Sequence, residues 1–362
     1  MVSISLCMIV KNEEKVIARC LESVAPLVDE IIIVDTGSSD RTKEIVKKFT
    51  DQIYDFEWED DFAKARNFAF SKASKEYTLW LDADDVILEP DQEKFKELKK
   101  TLDSSVDSVQ MKYVLLKDEH GAIISSLNRN RLLKTSNKFK WIGAVHEYVE
   151  VGGNIILSEI CITHQSIKTG KTDRNIKIYR KQMEKGLEFT PRDLFYYANE
   201  CYEHNLNEEA ITYYKKFLDT ERGWFDDCIR ACDQGAEAYI RLGNTKEAIM
   251  LILRSFSYAI PRANLCCKLG YLYMEQKEFD RAVYWYEAAL KCDVEKVKST
   301  GGLVDYAYYT WLPHLQLCVC YDTLQQHERA FYHNEMARLY NPGHESVLHN
   351  KRYLETLLQH KE

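Results

Sequence analysis

The chain predicts an α/β domain with a twisted, mostly parallel sheet, followed by an all-α domain, and two observations carry that expectation. Before about residue 170, short β-rich runs alternate with helical stretches, which is the spacing of βαβ units. Beyond residue 173 the pattern is helical almost without interruption, so the domains are expected at 1–173 and 174–362. A chain of 362 residues has room for two cores, and 45% hydrophobic with 29% charged residues is ordinary globular composition.

The first strand is read over Ser3 to Val10, an apolar run cut short by Lys11-Asn12-Glu13-Glu14. It lacks a basic leader and so reads as a strand, not as a secretory signal. A helical pattern through Val16, Leu21 and Val24 leads to a second strand over Glu30 to Val34, then to a helix over Thr42 to Phe49. A short strand-like run (Gln52 to Tyr54), a helix (Ala63 to Ala73) and a strand (Tyr77 to Leu81) follow. Ser108 to Leu116, Arg131 to Lys134 and Val145 to Val151 read as further strands, with a turn at His120-Gly121 and a last sheet-like run ending at His164. Ligands of such sheets bind beyond the carboxyl ends of the strands, so the chemistry is expected there.

A net charge of −8 offers no general attraction to nucleic acid or to anionic membranes. No apolar run approaches the ~18 residues of a membrane span. The 11 cysteines are odd in number, include no Cys-x-x-Cys, and place Cys201, Cys266 and Cys318 at apolar helical positions. Buried, reduced thiols in a cytoplasmic protein are the expectation.

In the helical half, small residues recur at one fixed spacing: Ala198 and Ala210, Ala236 and Ala248, Gly270 and Ala282, Cys318 and Ala330. Cys201, Tyr239, Tyr273 or Tyr321 follows the first member of each pair, and Pro342 follows the last. Lys268 to Tyr273, with Phe279, Ala282, Tyr286 and Ala289, closely resembles a tetratricopeptide repeat, and the other units match it more loosely. The resemblance implies stacked helix pairs, with small residues where two helices approach and aromatics between units. It further implies a concave surface for a peptide or protein; a helical cap or a homodimer contact is the alternative.

The chemistry is expected in the first half, where Trp80-Leu81-Asp82-Ala83-Asp84-Asp85 ends an apolar strand in carboxylates. On an extended backbone Asp82 and Asp84 project to one side and can converge on one ligand. Mg²⁺ or Mn²⁺ commonly takes one or two carboxylates while substrate phosphates complete its shell. Ile9-Val10-Lys11-Asn12-Glu13 closes the first strand and Val34-Asp35-Thr36-Gly37-Ser38-Ser39-Asp40 the second, while Phe62-Ala63-Lys64-Ala65-Arg66-Asn67 opens the helix before the acidic strand. This ordered set resembles the family-two glycosyltransferases of the GT-A fold over about residues 3–90. The resemblance implies that Val10 and Asn12 line the nucleotide pocket, that Asp35 meets the base and Arg66 the nucleotide, and that Asp82 binds ribose or metal and Asp84 metal. Asp35 can accept from a pyrimidine ring N–H, and Arg66 offers a planar donor fork. Gly37 permits a tight turn into a helix capped by Ser39 or Asp40.

The rest of the first half resembles glycosyltransferases with helical repeats after the catalytic domain, including those that glucosylate bacteriocin peptides on cysteine. The residues that carry this are Arg131-Leu132-Leu133, Phe139 to Glu147, His164 and the basic loop Lys168 to Arg174. The resemblance implies an inverting enzyme with Glu147 as general base, Asp85 and His146 being the alternatives. On a strand, His146 would point away from the face that carries Glu147. His164 is the candidate third metal ligand, and Lys168, Lys171 and Arg174 form a candidate lid over the departing diphosphate.

Two other motifs fail on inspection. Gly170-Lys171-Thr172 imitates the end of a phosphate-binding loop, but Gln165 stands where the pattern needs Gly. His146-Glu147-Tyr148-Val149-Glu150 misses the zinc-protease pattern at its last position. The activity that the glycosyltransferase resemblance implies is metal-dependent, inverting transfer of a hexose from a nucleotide sugar, UDP-glucose or another UDP-hexose, to Cys or Ser/Thr of a peptide or protein. A transferase for a cell-surface glycan or lipid, and a repeat scaffold with a degenerate transferase domain, are the alternatives.

Overall fold

A computed structural model describes residues 1–117, 121, 123–167, 172–299 and 304–359. The chain forms two compact units, Met1–Leu187 and Glu188–Glu362. The expected boundary at 173 thus falls one helix early: residues 174–184 belong to the first unit, where Ile176, Ile178 and Tyr179 bury the helix's apolar face.

The first unit runs β1 (Ile4–Val10), α1 (Ile17–Val24), β2 (Glu30–Asp35), α2 (Thr42–Val46), β3 (Ile53–Asp55), α3 (Phe62–Phe70) and β4 (Tyr77–Trp80). It continues through β5 (Asp85–Val86), α4 (Glu89–Thr101), β6 (Ser108–Lys117), β7 (Ile123–Lys134), β8 (Lys140–Ile142), β9 (Tyr148–Glu150), β10 (Ile155–His164) and α5 (Arg174–Glu184). One eight-stranded sheet has the order β3-β2-β1-β4-β7-β6-β10-β5, and β8 with β9 makes a separate antiparallel ribbon. Strands β3, β2, β1 and β4 are mutually parallel. β7 opposes both its neighbours, β10 is parallel to β6, and β5 is antiparallel to β10.

Alternation along β1 explains why both faces of the sheet are covered, as a parallel sheet requires. Ile4, Leu6, Met8 and Val10 share a core with Ile17, Cys20, Leu21 and Val24 of α1 and Phe95 of α4. Cys7 faces the opposite core, with Ile32, Val34 and Ala69 of α3.

Two local expectations are corrected. α2 ends at Val46, short of Phe49. The strand expected over Val145 to Val151 is only Tyr148–Glu150, because Gly143 (φ 95°) and His146 (φ 51°) both adopt left-handed conformations that bend the chain before it. His120 of the expected turn lies outside the described residues.

The second unit contains α6 (Pro191–Glu203), α7 (Asn207–Asp219), α8 (Phe225–Arg241), α9 (Thr245–Ser255), α10 (Ala263–Glu275) and α11 (Phe279–Leu290). After them come α12 (Val294–Ser299), α13 (Trp311–Thr323), α14 (His327–Tyr340) and α15 (Glu345–Gln359). The repeat reading holds in detail. All the paired small residues, Ala198 through Ala330, are buried. Each helix pair turns at one left-handed residue, Asn205, Gly243, Lys277 or Gln325. The next N–H, of Leu206, Asn244, Glu278 or Gln326, donates to the carbonyl of Cys201, Tyr239, Tyr273 or Tyr321, which ends each first helix in a Schellman-type cap. α12 and the turn at Tyr306–Tyr309 lengthen the chain between the third helix pair and the last.

Candidate active site

The carboxyl ends of β1, β2 and β4 form one edge of the sheet, and the expected site residues gather there. Val10 is a buried strand residue whose carbonyl accepts the Thr36 N–H, tying β1 to the loop after β2. Asn12 sits at φ 55°, a conformation that Asn tolerates, donates its N–H to Ser38 Oγ and accepts the Ser39 N–H at 2.8 Å. Gly37, at φ 100°, completes the turn. Asp35 is buried, and its Oδ1 accepts the N–H groups of Gly37 and Ser38 at 2.9 and 2.8 Å. Its Oδ2 is buried without a hydrogen-bond partner among the described residues, so an acceptor remains unused at the predicted base-recognition position. Asp40, not Ser39, holds the start of α2 by accepting the Thr42 N–H at 3.0 Å. A cavity of about 300 Å³ lies against these loops, lined by Asn12, Glu13, Asp40 and Asp84 among others.

Helix α3 presents Arg66. Asp61 starts the helix by accepting the Lys64 N–H at 2.9 Å. One turn on, Asn67 fixes its orientation by exchanging hydrogen bonds with the backbone of Trp141. Arg66 is buried against Trp80 and Trp141, with Nε on Glu147 Oε1 and Nη2 on Asp82 Oδ1, each at 2.7 Å. Burial lowers the basicity of Arg66, but the two carboxylates outweigh it and raise its pKa overall. For Asp82, burial raises the pKa, and the charges of Arg66 and Arg131 overcome it to hold the carboxyl at about 2.

The acidic segment does not continue the strand. β4 ends at Trp80, and residues 82–85 form a turn closed by the Asp85 N–H on the Asp82 carbonyl. The extended geometry expected for Asp82 and Asp84 is therefore absent, and the carboxylates separate. Asp82 goes to Arg66, while Asp84, Asp85 and His164 offer ligand atoms within 4.8 Å of one another. The pairing of β5 with β10 sets Asp85 opposite His164, whose Nδ1 stands 3.6 Å from Asp84 Oδ1 and 3.7 Å from Asp85 Oδ1. Asp85, ahead of the other carboxylates, raises the His164 imidazole above its ordinary pKa despite partial burial. Tyr113 of β6 places its hydroxyl 2.9 Å from His164 Nδ1. Two carboxylates and an imidazole are a fitting donor set for a divalent cation of the Mn²⁺ kind.

The three base candidates also separate. Asp85 is wholly buried and ion-paired to the wholly buried Arg131 at 3.0 Å, so it has no path to an acceptor. His146 and Glu147 lie in the loop before β9, so the opposite-face argument for that pair does not apply. Glu147 Oε2 carries no hydrogen bond among the described residues. Arg174 starts α5 with its guanidinium 4.6 Å from the Phe62 ring, whereas Lys168 and Lys171 lie outside the described residues. The sequence reading assigned no role to Arg131 or Tyr113. An arginine in an otherwise apolar strand run, Arg131-Leu132-Leu133, was the available signal for the first.

Residues 5–150 match the family model for Glycosyl transferase family 2. The chain is 26% identical to the TPR repeat-containing protein Synpcc7942_0270 of Synechococcus elongatus over 331 residues, covering 90% of this chain and 75% of that protein. It is 28% identical to the SPbeta prophage-derived glycosyltransferase SunS of Bacillus subtilis over 324 residues, covering 84% of this chain and 71% of SunS. Among solved structures, YrrB, described as a TPR protein with an unusual peptide-binding site, aligns with a TM-score of 0.38 at 16% identity over 51% of this chain and 85% of YrrB.

Proposed function

We propose that this chain, which carries a family 2 glycosyltransferase domain over residues 5–150 and tetratricopeptide-like repeats after it, transfers a hexose from a UDP-sugar to a peptide or protein side chain. The observation that carries the donor reading is the Asp84, Asp85 and His164 set, on the same sheet edge as the Arg66–Asp82 pair and the unused acceptor of Asp35. A divalent cation held by Asp84, Asp85 and His164 would supply charge neutralisation to a diphosphate leaving group.

The chain's own residues do the rest. Asp35 Oδ2 is assigned to a ring N–H of the base. Arg66 holds Asp82, which is assigned to the ribose, and Glu147, which is assigned to the acceptor side of the sugar. Glu147 Oε2 is assigned the acceptor proton, which leaves the acceptor oxygen or sulfur to attack the anomeric carbon from the face opposite the diphosphate. No enzyme nucleophile is needed for this inverting displacement.

The repeats are assigned to the acceptor, since stacked helix pairs offer an extended groove for a peptide. The test is UDP release by the full chain from a panel of UDP-sugars, with and without candidate peptides and with Mn²⁺ or a chelator. Peptide-stimulated, Mn²⁺-dependent release of one UDP-hexose is expected. Stimulation only by lipid or glycan acceptors would replace the peptide assignment, and no release from any nucleotide sugar would overturn the reading.

A further inference from the structure

Arg131 is among the largest fully buried side chains in the protein, and burying a guanidinium is costly unless its charge and its donors are met. Among the described residues only Nη1 is met by hydrogen bonds, to Asp85 Oδ2 at 3.0 Å and to the Trp80 carbonyl at 3.3 Å, while Nε and Nη2 are buried without an acceptor there. Its flat faces are satisfied instead by aromatic rings, with Cζ 3.8 Å from the Trp80 centroid and 4.5 Å from that of Tyr113. A well-packed apolar residue would meet the needs of folding alone at less cost.

Arg131's neighbours lead to both halves of the cation set. On one side, the Asp85 carboxylate that it holds also accepts the Asp82 N–H at 3.0 Å, which closes the turn presenting Asp84. On the other, Tyr113 packs against Arg131 and reaches His164 with its hydroxyl. We infer that Arg131 is a positioning residue for the donor site, setting the geometry of Asp84, Asp85 and His164 without touching substrate. The inference rests on the metal-dependent reading given above. Partners of this kind typically change metal affinity 10- to 100-fold when altered, because ligands free to relax must be ordered again on binding.

The test is direct Mn²⁺ titration of the full-length protein, by calorimetry or by electron paramagnetic resonance, with the thermal midpoint recorded for each variant. Arg131→Lys keeps the charge but loses the planar donor and the flat stacking face, and it should weaken Mn²⁺ on the order of 10-fold. Its apparent KM for the donor should rise with it, at a thermal midpoint near wild type. A folded Arg131→Lys with wild-type Mn²⁺ affinity overturns the inference. If Arg131→Lys does not fold, Tyr113→Phe decides, since it keeps the ring against Arg131 and removes only the hydroxyl that reaches His164 and Asp85: weaker Mn²⁺ binding supports the inference, and unchanged binding overturns it. A wild-type chain that binds no Mn²⁺ overturns the metal reading and this inference together, whereas wild-type binding with unaltered variants overturns the inference alone.

Discussion

The Arg66 guanidinium and the Glu147 carboxylate, 81 positions apart in the chain, meet at 2.7 Å, and the same guanidinium holds Asp82. One helix residue therefore joins the turn after β4 to the loop before β9. Glutamine at 147 keeps an oxygen for Arg66 but cannot take a proton. Glu147→Gln should leave donor KM within about 3-fold of wild type while kcat falls on the order of 10²-fold, as measured by initial rates of UDP release with saturating acceptor. Equal losses in donor binding and transfer would make Glu147 a support for Arg66 and nothing more.

Removing the cation from the same pair should act on folding. Arg66→Ala leaves Glu147 and Asp82 without their partner, which costs about 3 kcal/mol, the low end for broken buried pairs because the Asp82 side chain is 38% exposed. Denaturant unfolding of the first unit would register it, and a loss below about 1 kcal/mol would count against a stabilising role.

Asp84 and Asp85 are adjacent yet should fail differently. Both lie in the cation set, but Asp84 is partly exposed, so Asp84→Ala should remove most Mn²⁺-dependent turnover with little change in stability. Asp85→Ala removes a ligand of the same set and also strands the wholly buried Arg131 charge, so it should in addition destabilise by about 3–5 kcal/mol. Near wild-type metal-dependent turnover in Asp84→Ala would sink the metal assignment.

The repeats make a separate prediction at Gly270. A Cβ there would stand 2.8 Å from the ring of Tyr286, which is fully buried and cannot swing away. Gly270→Ala should therefore destabilise the helical unit by about 1–3 kcal/mol, against the ~1 kcal/mol that alanine would otherwise gain in a helix. Gly235→Ala meets the end of the Leu251 side chain, which can rotate, and should cost less. Thermal melts of the two variants should rank them in that order.

His333 should make the helical unit acid-sensitive. It shares a hydrogen bond of 2.9 Å with His314, stacks on Tyr321 and lies near Glu287 and Arg329. Burial first, then His314, lowers its pKa from 6.5 to about 4. The unfolded chain takes up this proton before the folded one, so the stabilisation is complete above pH 6.5 and drains away as pH falls toward 4. Its size, discounted for partial exposure, is on the order of 1–2 kcal/mol. Comparing unfolding free energies at pH 7 and pH 5 should show a smaller difference in His333→Gln than in wild type, and identical differences would refute the assignment.

The sequence alone determined the two-part architecture, the four helix pairs and the identity of most residues at the sheet edge. These are local properties: the near-continuous apolar run Ile4 to Val10 dictates a strand covered on both faces, and the spacing of Ala198, Ala236, Gly270 and Cys318 from their partners dictates where two helices touch. Only the tertiary structure decided how the carboxylates divide, sending Asp82 to Arg66 and Asp85 to Arg131 while leaving Asp84 beside His164. That division follows from the packing of α3, which brings Arg66 to Asp82, and from the order of strands in the sheet, which sets β4 beside β7 and β5 beside β10 and so brings together residues far apart in the chain. Periodicity reports the backbone around a residue but is silent about which strand lies next to it, so the charges were legible in the sequence and their partners were not.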